Sequence, residues 1–172
     1  NHNLLTWARS QTGHIQTNFS TLDLEGLVEE TIAVLEPTAK HKGIEIKLAL
    51  EADLRIYADS DLITTVIRNV LTNALKFTPQ GGSVTLMAKK MESEAEIHII
   101  DTGIGMTPEV KAKLFAVGEK SFTKGTDGES GTGLGLIIAK EFIEMNNGSI
   151  AIESEAKHGT DVSIRIPLAD DV

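Results

Sequence analysis

Three short runs in this chain combine residues suited to holding a flat, anionic ligand. The first is Asn69, Asn73 and Lys76, at i, i+4 and i+7, which puts all three on one stripe of any helix they share. Asn is a weak helix former because its amide competes for backbone hydrogen bonds. Two of them one turn apart point either to a ligand-facing stripe or to a solvated helix face. An amide carbonyl is a neutral hard oxygen fit for Mg²⁺, and a lysine offers a point charge to phosphate. The second run is Asp101-Thr102-Gly103-Ile104-Gly105-Met106, directly after an apolar segment. A carboxylate there accepts hydrogen bonds only, so it favours the exocyclic amine of adenine and repels the carbonyl of guanine; an Asp at a strand end is also an ordinary turn former. Gly103 and Gly105 let the backbone lie close to a flat base. No third glycine completes a dinucleotide fingerprint, and the acidic residue stands before the loop rather than after it. The third run, Gly131-Thr132-Gly133-Leu134-Gly135-Leu136, leads straight into a helical pattern. Bare peptide N–H groups at a helix N-terminus receive an anion without any net positive charge, although the same run fits a flexible loop before a tight helix–sheet contact. A Gly-x-x-x-x-Gly-Lys-Ser/Thr phosphate loop is absent.

Composition narrows the chemistry further. Basic residues number 16 and acidic residues 25, a net charge of −9, which argues against phosphate-neutralising contact with nucleic acid. A polyanionic ligand therefore needs a metal ion and local dipoles. With no cysteine, disulfides, thiolate metal sites and cysteine nucleophiles are excluded. None of the five histidines is spaced i, i+3 or i, i+4 from another, so a zinc site is not expected. The apolar run 134–139 is too short to cross a bilayer. The 172 residues suffice for one domain and a short appendage.

Periodicity supplies the elements that must position the three runs. Leu5, Ala8, Thr12 and Ile15 form the seam of an opening helix packed on a partner, ended by residues 18–21. A second helix is expected over 23–42, with Leu24, Leu27, Val28, Thr31, Ile32 and Leu35 on one face, a kink at Pro37 and a stop at Gly43. Ile44, Ile46, Leu48 and Leu50 alternate as a strand, and 54–57 is a shorter one. Asp59 or Ser60 caps a strongly periodic helix to Phe77, closed by Pro79 and Gly81-Gly82. Strands follow over 83–90 and 95–101, then a short helix after Thr107-Pro108, a helix over 134–145, and a hairpin over 149–154 and 161–168. The hairpins predict an α+β fold: a two-layer sandwich of a mostly antiparallel mixed sheet covered on one face by about three helices, with an N-terminal helix.

Taken in order, the runs resemble the ATP-binding domain of sensor histidine kinases, in the superfamily that includes gyrase, heat-shock chaperone and mismatch-repair ATPases. Asn69-x-x-x-Asn73-Ala74-x-Lys76-Phe77 is similar to the N box, Asp101-x-Gly103-x-Gly105 to the G1 box, and Gly131-x-Gly133-x-Gly135-Leu136 to the G2 box. Leu114-Phe115 and Ser121-Phe122 fall where the F box belongs, and Gly159-Thr160 where the last glycine box lies. The likeness covers residues 22–168. It implies Mg²⁺-ATP held between the N-box helix and a lid over about 106–130. In that frame Asp101 binds the adenine amine, Thr160 supports it through water, and Phe77 packs on base or sugar. Asn73 ligates Mg²⁺, Asn69 assists, and Lys76 meets a phosphate. Gly103, Gly105, Met106, Phe115 and Phe122 line the nucleotide, Lys120 and Lys124 are further phosphate contacts, and Gly131, Thr132, Gly133, Leu134, Gly135 and Leu136 cradle the phosphates.

The implied reaction is transfer of the γ-phosphoryl group to an imidazole nitrogen and then to an aspartate of a response regulator. The implied partners are ATP, the dimerisation and phosphoacceptor hairpin of the same kinase, and a receiver domain, in a cytoplasmic and dimeric parent. No nucleic acid or direct membrane contact is expected. Residues 1–18 are similar to the end of the second hairpin helix, and 19–172 form the catalytic domain. The phosphoacceptor histidine would lie outside the chain, because His2 has no acidic neighbour; His41, His98 and His158 read as ordinary surface or strand residues. Hydrolytic members of the superfamily place a Glu one turn before the Mg²⁺-binding Asn. Here that position is Asn69, whose amide takes no proton at neutral pH, so hydrolysis is expected to be slow. A non-catalytic nucleotide-sensing module is another alternative, and a serine kinase of the anti-sigma type a third, disfavoured by the hairpin-like helix at the start.

Overall fold

The computed structural model describes residues 16–115, 125 and 134–169. In chain order the elements are β1 (Phe19–Asp23), α1 (Leu24–Lys42), β2 (Glu45–Leu50), β3 (Arg55–Asp59), α2 (Ser60–Phe77), β4 (Ser83–Met91), β5 (Glu94–Asp101), α3 (Pro108–Ala112), α4 (Gly135–Met145), β6 (Ser149–Ser154) and β7 (Thr160–Pro167). The expected helix through Leu5, Ala8, Thr12 and Ile15 lies outside the described residues, as do Lys120, Phe122, Lys124, Gly131, Thr132 and Gly133.

Five strands form one sheet in the order β2-β4-β5-β7-β6. β2 runs parallel to β4 and every other pairing is antiparallel, so the sheet is the mixed, mostly antiparallel one expected. Strict alternation buries one face. Val84, Leu86 and Ala88 of β4, Ile97 and Ile99 of β5, and Val162, Ile164 and Ile166 of β7 point into a single core with the apolar sides of α1, α2 and α4. Helix α2 is the centre of that layer. Its buried side runs Leu62, Ile63, Val66, Ile67, Val70, Leu71 and Ala74, the face read from the 3.6-residue period. The carboxylate of Asp59 caps it, Oδ1 accepting from Leu62 N at 3.1 Å while Oδ2 accepts from Asn18 N at 2.8 Å. The Asp59 N–H in turn donates to Oδ1 of the fully buried Asn146, just past α4.

One feature departs from the sequence reading. Residues 19–23 form a strand, where the sequence reading has only a stretch that ends the opening helix, and pair antiparallel with β3 in a separate two-stranded sheet, with Phe19 stacked on Tyr57 at 5.6 Å. The helix that follows runs from Leu24 to Lys42 with Pro37 inside it, and Gly43 in the left-handed region (φ 74°) closes it at the expected stop.

Candidate functional site

The end of β5 and the end of α2 meet at one corner of the sandwich. Asp101 is the last residue of β5, in register with Val84 on one side and Thr160 on the other. Its side chain is buried, and Oδ1 accepts from Gly103 N at 2.8 Å and from Thr160 N at 3.2 Å. Among the described residues no donor reaches Oδ2. Burial pushes the Asp101 carboxyl above the usual carboxylate range, and the two backbone N–H bonds partly offset that rise. The result is a fixed acceptor with one oxygen satisfied and, among the described residues, the other without a donor. Thr160 adds a hydroxyl beside it, paired with Ser154 Oγ at 2.8 Å.

The two glycines of the Asp101 loop have a stricter reason to be glycine than closeness to a ligand. A Cβ on Gly103 would stand 2.4 Å from Phe77 O and 2.7 Å from Asp101 Oδ1. One on Gly105, whose φ is +67°, would stand 2.0 Å from Glu155 O. Both glycines therefore let the loop press on its own protein. Ile104 N donates to Phe77 O at 3.1 Å, and Ile104 O accepts from Lys157 N at 2.6 Å, which wedges the loop between α2 and the β6–β7 turn.

Helix α2 carries the other predicted residues along one stripe. Asn69 is buried, and its Nδ2 donates to Gly135 O at 3.4 Å, tying the stripe to the start of α4. One turn later Asn73 is half-buried, and its amide has no partner among the described residues. Lys76 and Phe77 are half-buried at the far end, with Lys76 Nζ 5.0 Å from the Phe77 ring centroid. From Asn69 to Phe77 is eight residues, about 12 Å of helix. The stripe thus spans from the N-terminus of α4 to the loop that holds Asp101.

Met106, Leu114, Phe115 and Leu134 are partly buried against the core. The Phe115 ring also meets Lys140 Nζ at 5.3 Å, which fastens the segment after α3 to α4. The Leu136 side chain is buried in the core, so only its backbone stands at the head of α4. An Asn amide with no partner among the described residues, one turn from an Asn tied to a helix N-terminus and three residues before a lysine, fits the chemistry of Mg²⁺ bound with phosphate, since neutral oxygens and waters suit that ion.

Two positions carry more than their sequence context suggested. Thr102 clamps the root of the loop: Ser83 N donates to its Oγ1 at 3.0 Å and its own N–H donates to Ser83 O at 3.1 Å. A β-branched hydroxyl residue between Asp101 and Gly103 was the available signal. His98 is not an ordinary strand residue. On the outer face of the sheet its Nε2 meets Glu96 Oε1 at 2.7 Å and its Nδ1 meets Asp161 Oδ1 at 2.9 Å, with Arg165 and Lys89 on the same Glu96 carboxylate. Two carboxylates on two ring nitrogens call for an imidazolium. Burial alone would depress the His98 pKa, but the hydrogen bonds to Glu96 and Asp161 outweigh it and raise the value. The His98 hydrogen bond lowers the Glu96 pKa against the opposing effect of its burial.

No helix among the described residues is long and apolar enough to cross a membrane. Residues 58–170 match the family described as histidine kinase-, DNA gyrase B-, and HSP90-like ATPase. The non-motile and phage-resistance protein of Caulobacter vibrioides is 31% identical over 97% of this chain and 20% of its own length. Histidine protein kinase DivJ of the same organism is 30% identical over 97% of this chain and 28% of its own. The chain therefore spans less than a third of either relative. Among solved structures, full-length ShkA in complex with AMPPNP superposes with a TM-score of 0.81 at 29% identity, over 97% of this chain and 35% of that one. The catalytic domain of histidine kinase ThkA superposes with a TM-score of 0.77 at 27% identity, over 88% and 96%. The chain belongs to the histidine kinase-, DNA gyrase B- and HSP90-like ATPase family, as an ATP-binding domain of the histidine-kinase kind.

Proposed function

We propose that this domain binds Mg²⁺-ATP along the α2 stripe and presents its γ-phosphoryl group to a histidine on a dimerisation hairpin of the same kinase. The observation that carries the reading is the Asp101 carboxylate, held through Oδ1 by two backbone N–H groups with Oδ2 left for a ligand donor. An adenine amine matches that acceptor. The Phe77 end of the stripe then takes base or sugar, and the polyphosphate extends toward Asn73, Asn69 and the head of α4. Asn73, with Asn69 assisting, would hold Mg²⁺, which supplies neutralisation of the charge that develops on the transferred phosphoryl group. The protein's own contribution is positioning: α2 holds the amides, the α4 N-terminus offers N–H groups, and Lys76 offers a charge. Lid residues Lys120 and Lys124 and the glycines 131, 133 and 135 complete the proposed phosphate contacts. In the parent protein, a homodimer acting at the cytoplasmic side, the phosphohistidine would pass its phosphoryl group to an aspartate of a response regulator. No carboxylate stands one turn before Asn73, where a water-activating base would be needed, so hydrolysis is the weaker reading.

The deciding experiment incubates the chain with γ-labelled ATP and a separately supplied hairpin fragment. Acid-labile, base-stable label on the fragment supports the phosphoryl-donor reading. Release of free phosphate alone would favour the hydrolytic switch, and nucleotide binding with neither outcome would favour the sensing module.

A further inference from the structure

The last turn of α2 has no glycine to close it. Thr78 follows in extended conformation (φ −99°, ψ 125°) ahead of Pro79, so no left-handed residue folds back onto the carbonyls at the helix end. Each of the last four carbonyls nevertheless has a donor from elsewhere. Thr78 Oγ1 donates to Ala74 O at 2.7 Å, and Ile104 N donates to Phe77 O at 3.1 Å. The two between them share a single ammonium: Lys42 Nζ donates to Leu75 O and to Lys76 O, at 2.9 Å each. Lys42 comes from the last turn of α1 and is only 6% exposed. A lysine is rarely buried so far unless its charge is met, and the C-terminal end of a helix is where a cation is stabilised.

We propose that Lys42 is a positioning residue for the nucleotide site. Its ammonium closes the final turn of α2. That turn sets the directions of Lys76 and Phe77, and the Phe77 carbonyl is the rest against which Gly103 and Ile104 lie. The Asp101 loop thus takes its register from a helix end that a residue on a different helix holds shut. Burial of Lys42 fits this task, since its ammonium meets two carbonyls at the end of α2, that of Leu75 in a buried contact and that of Lys76 in a part-buried one. The inference rests on the nucleotide reading above.

The test uses the 172-residue chain with MgADP as probe. Lys42→Met keeps the apolar stem and removes the ammonium; Lys42→Gln keeps an N–H donor and removes the charge. Calorimetry gives the MgADP affinity, and amide hydrogen exchange by NMR compares Ile104 with Ile97 and Ile99 in β5. In whichever variants fold, affinity should fall, on the order of tenfold for Lys42→Met and less for Lys42→Gln. The Ile104 amide should exchange faster by a similar factor while the β5 amides hold. A purely structural lysine would lower the unfolding midpoint and leave the folded chain's MgADP affinity and Ile104 exchange unmoved; that pattern overturns the proposal. Failure of the nucleotide reading looks different, because then Asp101→Asn leaves MgADP affinity unchanged. Unmoved Ile104 exchange in a chain where Asp101→Asn does abolish binding counts against Lys42 alone.

Discussion

Replacing Asp101 by Asn separates the binding and folding roles of one side chain. An amide Oδ1 in place of the carboxylate Oδ1 still accepts from Gly103 N and Thr160 N, at 2.8 and 3.2 Å in the native chain. Only the second oxygen changes, from a charged acceptor to an NH₂ donor. Facing an adenine amine, that swap removes one charge-assisted hydrogen bond and sets donor against donor, about 3 kcal/mol or more in total, beyond ~100-fold in affinity. The fold should respond in the opposite sense. Burial raises the Asp101 pKa, so at neutral pH the ionised carboxylate is a cost to the native state, and stability tied to this group is gained only as pH falls. The Asn variant should therefore unfold in urea at the native midpoint or above it. The two readouts are MgADP calorimetry and urea unfolding followed by circular dichroism at neutral pH. An affinity within about threefold of the native chain would end the assignment of Asp101 as the base-reading acceptor. A large loss of stability would instead show that the carboxylate serves the loop and not a ligand.

Other outcomes follow from the same geometry. Asn73→Ala should leave the unfolding midpoint nearly unchanged, because the amide has no partner among the described residues, and should weaken Mg²⁺-dependent nucleotide affinity on the order of tenfold; equal Mg²⁺ dependence in mutant and native chains would count against it as the metal ligand. Gly103→Ala forces a methyl to 2.4 Å from Phe77 O, and should cost about 1–3 kcal/mol by urea unfolding together with MgADP affinity. Because the His98 pKa is raised in the folded chain, its contribution is complete below the ordinary value of 6.5 and is lost as pH rises through the folded value. The native urea midpoint should fall between about pH 6 and about pH 9 more than that of His98→Leu; equal falls would show that the Glu96–His98–Asp161 array contributes nothing.

Local signals made the centre of this molecule readable and left its seams hidden. Helix α2 could be read almost to the residue because the Asp59 cap, a long apolar stripe and Pro79 are all local signals within the one stretch 59–79. Asp101, Gly103 and Gly105 were legible as a motif, but what the glycines touch was not: Phe77 O and Glu155 O come from α2 and the β6–β7 turn. Strand β1 was missed because five residues offer little alternation and run into α1 with no turn residue, while the partner strand β3 lies beyond α1 and β2. His98 meets Asp161 across 63 residues of chain, and Lys42 meets Leu75 across 33. No spacing rule links such pairs, because only the closed sheet and the packed helices create them.

Asn18 is fastened to the carboxylate of Asp59, the residue that also starts α2 and is itself gripped by Asn146. Asn18 is therefore anchored at the head of a helix whose 18 residues reach about 27 Å. The tail of that helix is where Phe77 props the Asp101 loop. One helix therefore carries the anchor of Asn18 at its head and the support of the Asp101 loop at its tail, with the stripe of amides along its second half.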